Sequence, residues 1–306
     1  MADSWFRQTV FFVNITVSDQ SGMYAKINRI GQGTYGVVYR AQDVDTREIV
    51  AVKRIKLETR EEGIPSTSIR EIALLKEINH KNVIKLHNVV HSQHRLTLVF
   101  EYCDWDLRRF MQSRDELTDE DIISFSYQML CALEFIHSKK IIHRDVKPQN
   151  LLINRKNELK LCDFGLARSL YIPGGQLSLE VITQWYRPPE ILVGITEYTE
   201  AVDIWSAGCV VVEMITGQPL FQCSSNEEHL EKLVMIYGSQ HIGDVFGYKY
   251  PEIVEGTGLG PYIENKSQEM QDLVKNLLEV DPKKRISAEK ALLMPVFDKV
   301  REIPAK

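Results

Sequence analysis

The 306-residue chain has no paired-cysteine motif: Cys103, Cys131, Cys162, Cys209 and Cys223 stand singly, and none has Cys-x-x-Cys spacing. That removes the sequence grounds for a structural zinc or a dithiol redox site. Isolated cysteines in apolar surroundings read instead as buried thiols in a reducing compartment. Long hydrophobic runs are missing too, since nothing approaches the ~18 uninterrupted apolar residues of a membrane span. Residues 9–17 resemble a short signal-peptide core only in hydrophobicity. Asp3 precedes them, no positive cluster does, and no small-residue cleavage site follows cleanly, so they read as an extra strand or arm. A basic excess is also absent: 37 Lys and Arg stand against 42 Asp and Glu, a net charge of -5. That balance argues against a nucleic-acid surface. The one basic run, Lys283-Lys284-Arg285, follows Asp281-Pro282 and reads as a solvated helix start. There is no internal repeat and no low-complexity segment.

What is present divides in two. The chain is long for a single core, so two packed lobes are expected. From Tyr24 to Phe100 the apolar residues come in short β-branched runs, such as Ile49-Val50-Ala51-Val52 and Leu96-Thr97-Leu98-Val99-Phe100. These predict antiparallel strands. One helix interrupts them, opened by Pro65, Ser66 and Thr67 and closed at Asn79-His80. Beyond Asp104 the spacing turns helical, in a stripe of Ile122, Phe125, Met129, Leu133 and Ile136 and in a buried run after Asp203-Ile204-Trp205-Ser206. Six glycines and weak periodicity over 238–260 predict a surface loop. The expected class is α+β, with an extension at 1–22, lobes at 23–103 and 104–297, a hinge near 101–106 and a tail at 298–306.

Several strings carry chemistry. Gly31, Gly33 and Gly36 lie between two strand patterns, where a backbone without side chains can fold over a polyphosphate and offer it N–H groups. Alone, Gly-x-Gly-x-x-Gly reads equally as a hairpin turn. A dinucleotide fold is disfavoured because a strand, not a helix, follows. Lys53 ends an apolar strand, where a lone lysine usually snorkels to solvent. Glu71 on the next helix can pair with it and hold the ammonium against phosphate oxygens. His143-Arg144-Asp145-Val146-Lys147-Pro148-Gln149-Asn150 then precedes Asp163-Phe164-Gly165. Asp145 is suited to accept or orient a hydroxyl proton, and Asn150 and Asp163 offer oxygens to Mg2+. Any single Asp or Asn is commonly a turn residue. The whole string in this order is not.

In this order the strings resemble a protein kinase, from Tyr24 to about Phe297. Pro65-Ser66-Thr67-Ser68-Ile69-Arg70-Glu71 resembles the signature helix of the cyclin-dependent kinases, with Ser68 in place of the usual Ala. The resemblance implies a bilobal kinase fold, with a small antiparallel β lobe plus one helix, a larger mainly helical lobe and a cleft between them. It implies transfer of the ATP γ-phosphoryl, with Mg2+, to Ser or Thr followed by Pro in protein substrates, in cell-cycle or related control. Catalytic roles would fall to Asp145, Lys147, Lys53, Glu71 and Thr183, the last bracing Asp145 and Lys147. Nucleotide contacts would come from Ile30, Gly31, Gly33, Thr34, Tyr35, Gly36, Val38, Ala51 and Lys53. Phe100, Glu101, Tyr102, Cys103, Asp106, Gln149, Asn150, Leu152 and Asp163 would complete them, with Asn150 and Asp163 on the metal.

The same resemblance implies regulatory phosphorylation at Thr34, Tyr35 and Ser178, the phosphate on Ser178 being met by Arg70, Arg144 and Arg168. A cyclin or cyclin-like subunit would dock on the 65–71 helix with Ile69 as anchor and push Glu71 toward Lys53. Trp185-Tyr186-Arg187 would set the preference for proline, and Glu190 would pair with Arg285. A monomer in the absence of its cyclin, no nucleic-acid or membrane partner, and a cytoplasmic or nuclear location complete the expectation. Pro188 stands where the family usually has Ala, and 237–263 lacks the family's Pro- and Trp-containing insert that binds small regulatory subunits. Two alternatives remain: a cyclin-independent proline-directed kinase, and a pseudokinase, against which the presence of Lys53, Asp145 and Asp163 argues.

Overall fold

The structure, a computed structural model, describes residues 23–33, 36–56, 66–92, 95–169, 182–247, 249 and 252–301. The extension at 1–22, Thr34, Tyr35, Pro65 and Ser178 lie outside the described residues. The chain divides into two compact units, one within Met1–Glu77 and Lys85–Tyr102, the other Ile78–Ile84 with Cys103–Lys306.

The first unit is a five-stranded sheet and a helix. Strands β1 (Tyr24–Gly33), β2 (Gly36–Asp43), β3 (Ile49–Lys56), β4 (Leu86–Ser92) and β5 (Arg95–Glu101) pair antiparallel in the order β1-β2-β3-β5-β4. One face of the sheet packs Ala41, Val50, Val52 and Val99 into a buried cluster, with Tyr24 against it. The β-branched runs suit this because stiff Val side chains fill a pleated, buried surface. Helix α1 (Ser66–Glu77) buries Glu71, Ile72 and Leu75, while Ile69 on another face stays 49% exposed.

The second unit is mainly helical. A short strand β6 (Trp105–Asp106) leads into α2 (Leu107–Gln112), whose first turn is capped by Asp106 Oδ1 accepting from the Arg109 N–H at 2.9 Å. Helix α3 (Asp119–Ser138) starts at the Thr118 cap, carries three acids in its first turn, and buries Ile122, Phe125, Met129, Leu130, Leu133 and Ile136. Strands β7 (Ile141–Ile142) and β10 (Arg168–Ser169) form one small ribbon; β8 (Leu151–Ile153) and β9 (Leu159–Leu161) join β6 in another. After α4 (Pro189–Leu192) comes α5 (Ala201–Thr216), buried from Ala201 through Met214, as a helix apolar on all sides must be. The chain finishes with α6 (Asn226–Tyr237), α7 (Ser239–Phe246), α8 (Gly260–Ile263), α9 (Gln268–Leu277), α10 (Ala288–Ala291) and α11 (Asp298–Arg301).

Three expectations change. Residues 78–84, assigned from sequence to the first lobe, cluster with the second unit. The Ile84 N–H donates to Leu161 O at 2.9 Å, Leu161 N–H donates to Asn82 O at 2.8 Å, and Asn82 Nδ2 donates to Leu159 O at 2.9 Å. The stretch 238–260 is not simply a loop, because α7 lies inside it. Gly238 (φ 84°) precedes that helix and Gly247 (φ 67°) ends it, so two glycines are helix boundaries rather than loop residues. Gly256 is needed for contact: a Cβ there would run into the backbone of Ile236 and Tyr237. Finally, all five cysteines are free thiols, but only Cys209 and Cys223 are buried; Cys103, Cys131 and Cys162 are partly exposed.

Arg285 ties this unit together. Its guanidinium donates to Glu190 Oε1 and Oε2 at 2.8 and 3.0 Å, and to the carbonyls of Ala201, Glu279 and Val280, with both side chains buried. Removing one member strands a buried charge. Arg285→Ala is expected to cost about 3–5 kcal/mol in urea denaturation, and an Arg285→Met, Glu190→Leu double variant to recover most of that loss. Near-neutral behaviour of the single variant would disprove the tie.

Candidate active site

In the first unit the strand register collects one set of side chains on one face. Gly31 lies opposite Val38, Val38 opposite Lys53, and Ala51 opposite Phe100. Cross-strand partners and i, i+2 neighbours share a face of a sheet, so Gly31, Val38, Ala51, Lys53 and Phe100 line the face opposite the Val50–Val52–Val99 cluster. Lys53 Nζ meets Glu71 Oε2 at 2.8 Å, with the lysine side chain 24% exposed and the glutamate 5%. Two of the three glycines, Gly31 and Gly36, differ in kind. A Cβ on Gly36 would collide with the Arg54 carbonyl, so close strand packing requires that glycine. Gly31 has room for a side chain within the fold. Its lack of one is open to a ligand-based reason. Glu101 closes the unit: its N–H donates to Lys85 O at 3.0 Å and its Oε1 accepts from Lys85 N–H at 2.7 Å. The Tyr102 ring lies 5.2 Å from the Arg40 guanidinium.

In the second unit a tight polar cluster surrounds Asp145, which is 5% exposed. Thr183 Oγ1 donates to Asp145 Oδ1 at 2.8 Å and accepts from Lys147 Nζ at 2.8 Å; Lys147 Nζ also meets Asp145 Oδ2 at 2.8 Å. Asn150 Nδ2 donates to both the carbonyl and Oδ2 of Asp145 at 2.8 Å. The carboxamide nitrogen is thereby committed to Asp145, which leaves Asn150 Oδ1 as the atom for a metal. Asp163 is exposed and left-handed (φ 64°), and the Cys162 N–H donating to Asn150 O at 2.9 Å ties the two metal candidates' segments together.

The loop around Asp145 is held from beneath by Asp203, which opens the buried helix α5. Asp203 Oδ2 and Oδ1 accept the backbone N–H groups of His143 and Arg144, each at 2.8 Å, and His137 Nε2 lies 2.9 Å from Oδ2. Complete burial opposes ionisation of Asp203, yet the hydrogen bond and charge of His137, with His143, hold its pKa below the ordinary carboxylate value. These bonds secure Arg144 in a left-handed conformation (φ 66°). Asp145 N–H donates to His143 Nδ1 at 3.2 Å, which leaves His143 Nε2–H to donate to Cys162 O at 2.9 Å. The His143 ring also stands edge-on to buried Phe164, centroids 4.9 Å apart.

Sequence reasoning read 203–206 only as buried helix and missed Asp203 as a support, together with His137 and Tyr198. The available signal was the charge itself. A carboxylate inside an apolar, buried run must have partners.

Other expected residues are placed less tightly. Arg144 donates to Leu166 O at 2.7 Å and to the Tyr198 hydroxyl at 3.1 Å, while Arg168 lies across from Ile142 in the β7–β10 ribbon. Arg70 is on α1 in the first unit. The Asp106 carboxylate is engaged at both oxygens by Arg109, through its N–H and its Nε (3.3 Å). Leu152 is half-buried on β8, and Gln149 has a buried Oε1 without a hydrogen-bond partner among the described residues.

A family model for the protein kinase domain matches residues 24–297. The chain belongs to the protein kinase family. Its antiparallel β unit and helical unit are the two lobes of the protein kinase fold, an α+β architecture. The kinase is a phosphotransferase of protein substrates, and its domain implies use of ATP and usually Mg2+. The residues present fit that requirement. Gly31 leaves backbone accessible, Gln149 Oε1 is an orphaned acceptor, and Asn150 and Asp163 supply the hard oxygens Mg2+ prefers. No three His, Cys, Asp or Glu side chains cluster as a metal site among the described residues. Mg2+ in such sites commonly takes one or two protein oxygens plus phosphates and water, so the pair suffices. No helix among the described residues is long and apolar enough to cross a membrane.

Proposed function

We propose that this kinase phosphorylates Ser or Thr followed by Pro and is switched on by a cyclin-like subunit docking on α1. The observation that carries the substrate reading is Ile182. It is β-branched yet left-handed (φ 65°), a strained backbone for such a residue. Its carbonyl accepts from Arg187 Nε at 2.8 Å. A substrate whose next residue carries an N–H finds that acceptor occupied and leaves the donor unpaired. Proline has no N–H to leave unpaired. The dependence on a cyclin is supported by the half-exposed Ile69 on the same helix that carries Glu71.

ATP supplies the phosphoryl group, and Mg2+ offsets the charge on its oxygens. Asn150 Oδ1 and Asp163 would hold the metal, and Lys53, aligned by Glu71, would hold phosphate oxygens. Asp145, oriented by Thr183 and Asn150, takes up the proton of the attacking hydroxyl. Lys147, beside it, offsets negative charge as the phosphoryl moves across. Phosphate on Ser178 would be met by Arg70, Arg144 and Arg168, and phosphate on Thr34 or Tyr35 would repel the nucleotide. The chain is a monomer without its cyclin and works when joined by it, in cytoplasm or nucleus, in cell-cycle or related control.

A second reading, a cyclin-independent proline-directed kinase, is favoured by one fact: Lys53 and Glu71 are paired at 2.8 Å. One assay separates the two. Transfer to Ser-Pro-x-Lys and Ser-Ala-x-Lys peptides is measured with and without a panel of cyclins. The expected result is cyclin-requiring activity with a proline preference of roughly tenfold or more, the cost of one unpaired donor. Equal activity without cyclin selects the second reading, and equal rates on the two peptides end the proline-directed one.

A further inference from the structure

Arg108 lies on α2 with its guanidinium carbon 5.9 Å from the centre of the Trp185 ring. That ring cannot swing freely, because its Nε1–H donates to the Cys223 carbonyl at 2.8 Å. Beside it, the Tyr186 hydroxyl donates to Glu213 Oε2 at 2.7 Å inside the fold. Burial raises the pKa of both Tyr186 and Glu213, and the Arg108 charge acts against it at each.

Arg109 meets Asp106, Arg114 meets Asp121 and Arg155 meets Asp104, each a carboxylate, while Arg187 of the Trp185 segment donates to Ile182 O and Asn226 Oδ1. Arg108 is different. It is half-buried, yet among the described residues no hydrogen bond or ion pair engages its guanidinium. Its donors sit in a rigid planar fork on an aromatic shelf, partly screened from water. That combination favours bidentate capture of a carboxylate or phosphate over a loosely solvated charge.

We propose that Arg108 is a substrate-specificity residue that receives an anionic side chain, carboxylate or phosphate, flanking the target hydroxyl. The inference rests on the proline-directed reading above, in which the segment from Ile182 to Arg187 seats the residue after the target. Trp185 belongs to that segment, so Arg108 borders the seat. The deciding chemistry is charge on the substrate, since the seat itself recognises only a missing N–H.

The test uses Ser-Pro peptides in which Asp, Glu, phosphoserine, Ala or Lys is scanned through the four positions on each side. Values of kcat/KM are compared within each of wild type, Arg108→Glu, Arg108→Gln and Arg108→Lys, with the activating cyclin present if one is required. Ratios taken within one variant do not depend on how much of it is folded. At one position the wild type is expected to favour an anion over lysine by roughly tenfold. Arg108→Glu reverses the order there and nowhere else, Arg108→Gln flattens it, and Arg108→Lys weakens it because an ammonium lacks the fork. Phosphoserine outranking glutamate identifies phosphate as the ligand, and parity identifies carboxylate. A flat charge profile, or one the variants leave unchanged, overturns the inference while Ser-Pro over Ser-Ala preference in the same assay keeps the underlying reading. Loss of that preference in the wild type fails the underlying reading instead.

Discussion

Replacing Asp145 with asparagine is expected to lower turnover by about 10²–10⁴-fold while nucleotide affinity stays within a few fold. The substitution keeps the shape of the side chain and removes its basicity. In the structure the Asp145 carboxylate receives Thr183 Oγ1 on one oxygen and Lys147 and Asn150 on the other. Those partners orient it, and none of them can take its place as proton acceptor: a lysine already paired, a hydroxyl already donating, and a carboxamide. Single-turnover phosphorylation of a Ser-Pro peptide measures the chemical step, and binding of a fluorescent nucleotide measures the rest. Equal loss of both would mean that the substitution had damaged the lobe rather than the base. Unchanged turnover would remove Asp145 from the role proposed for it.

The second large effect is expected at a residue that touches no substrate. Asp203→Ala takes the acceptor away from two buried backbone N–H groups and from His137 at once. Each stranded buried donor costs about 1–3 kcal/mol, so the variant should lose roughly 3–5 kcal/mol of stability. It should also lose most activity, because Arg144 loses the contact that holds its left-handed backbone one residue before Asp145. Asp203→Asn, which keeps one acceptor oxygen, should fall between. The pH dependence has a definite sign. Folding lowers the pKa of Asp203, so its contribution is complete above the ordinary carboxylate range and is lost as pH falls through the lower folded value. Urea denaturation of wild type and Asp203→Asn across that acid range should therefore converge as pH drops. A gap that stays constant, or an Asp203→Ala variant as stable as wild type, would contradict the account.

Much of the first lobe was legible because strands there are short, β-branched and bounded by turn residues, as in Ile49-Val50-Ala51-Val52. The run from His143 to Asn150 was legible for a different reason. Its chemistry depends on several residue types at close spacing, and the loop that carries it is local. Asp203 was not legible as part of the site, since its partners are about sixty positions away in the chain and its neighbours are those of any buried helix. Helix α7 was obscured by the glycines around it, which suggested a loop where two of them bound a helix. Nothing in the sequence around Arg108 marks it, because its neighbour Trp185 lies about eighty positions on in the chain.

By itself, then, the sequence decided the class of chemistry, the division into a β-rich lobe and a helical lobe, and the string of polar residues from His143 to Asn150. It did so because motif spacing and hydrophobic period act over a few residues, where the backbone's own geometry sets what each side chain can reach. Only the tertiary structure decided that Asp203 supports the loop around Asp145, that Ile182 is forced into a left-handed turn with its carbonyl taken by Arg187, and that Arg108 lies against Trp185. Those outcomes depend on burial and on contacts between distant segments. A buried polar group must find its partner wherever the fold brings one.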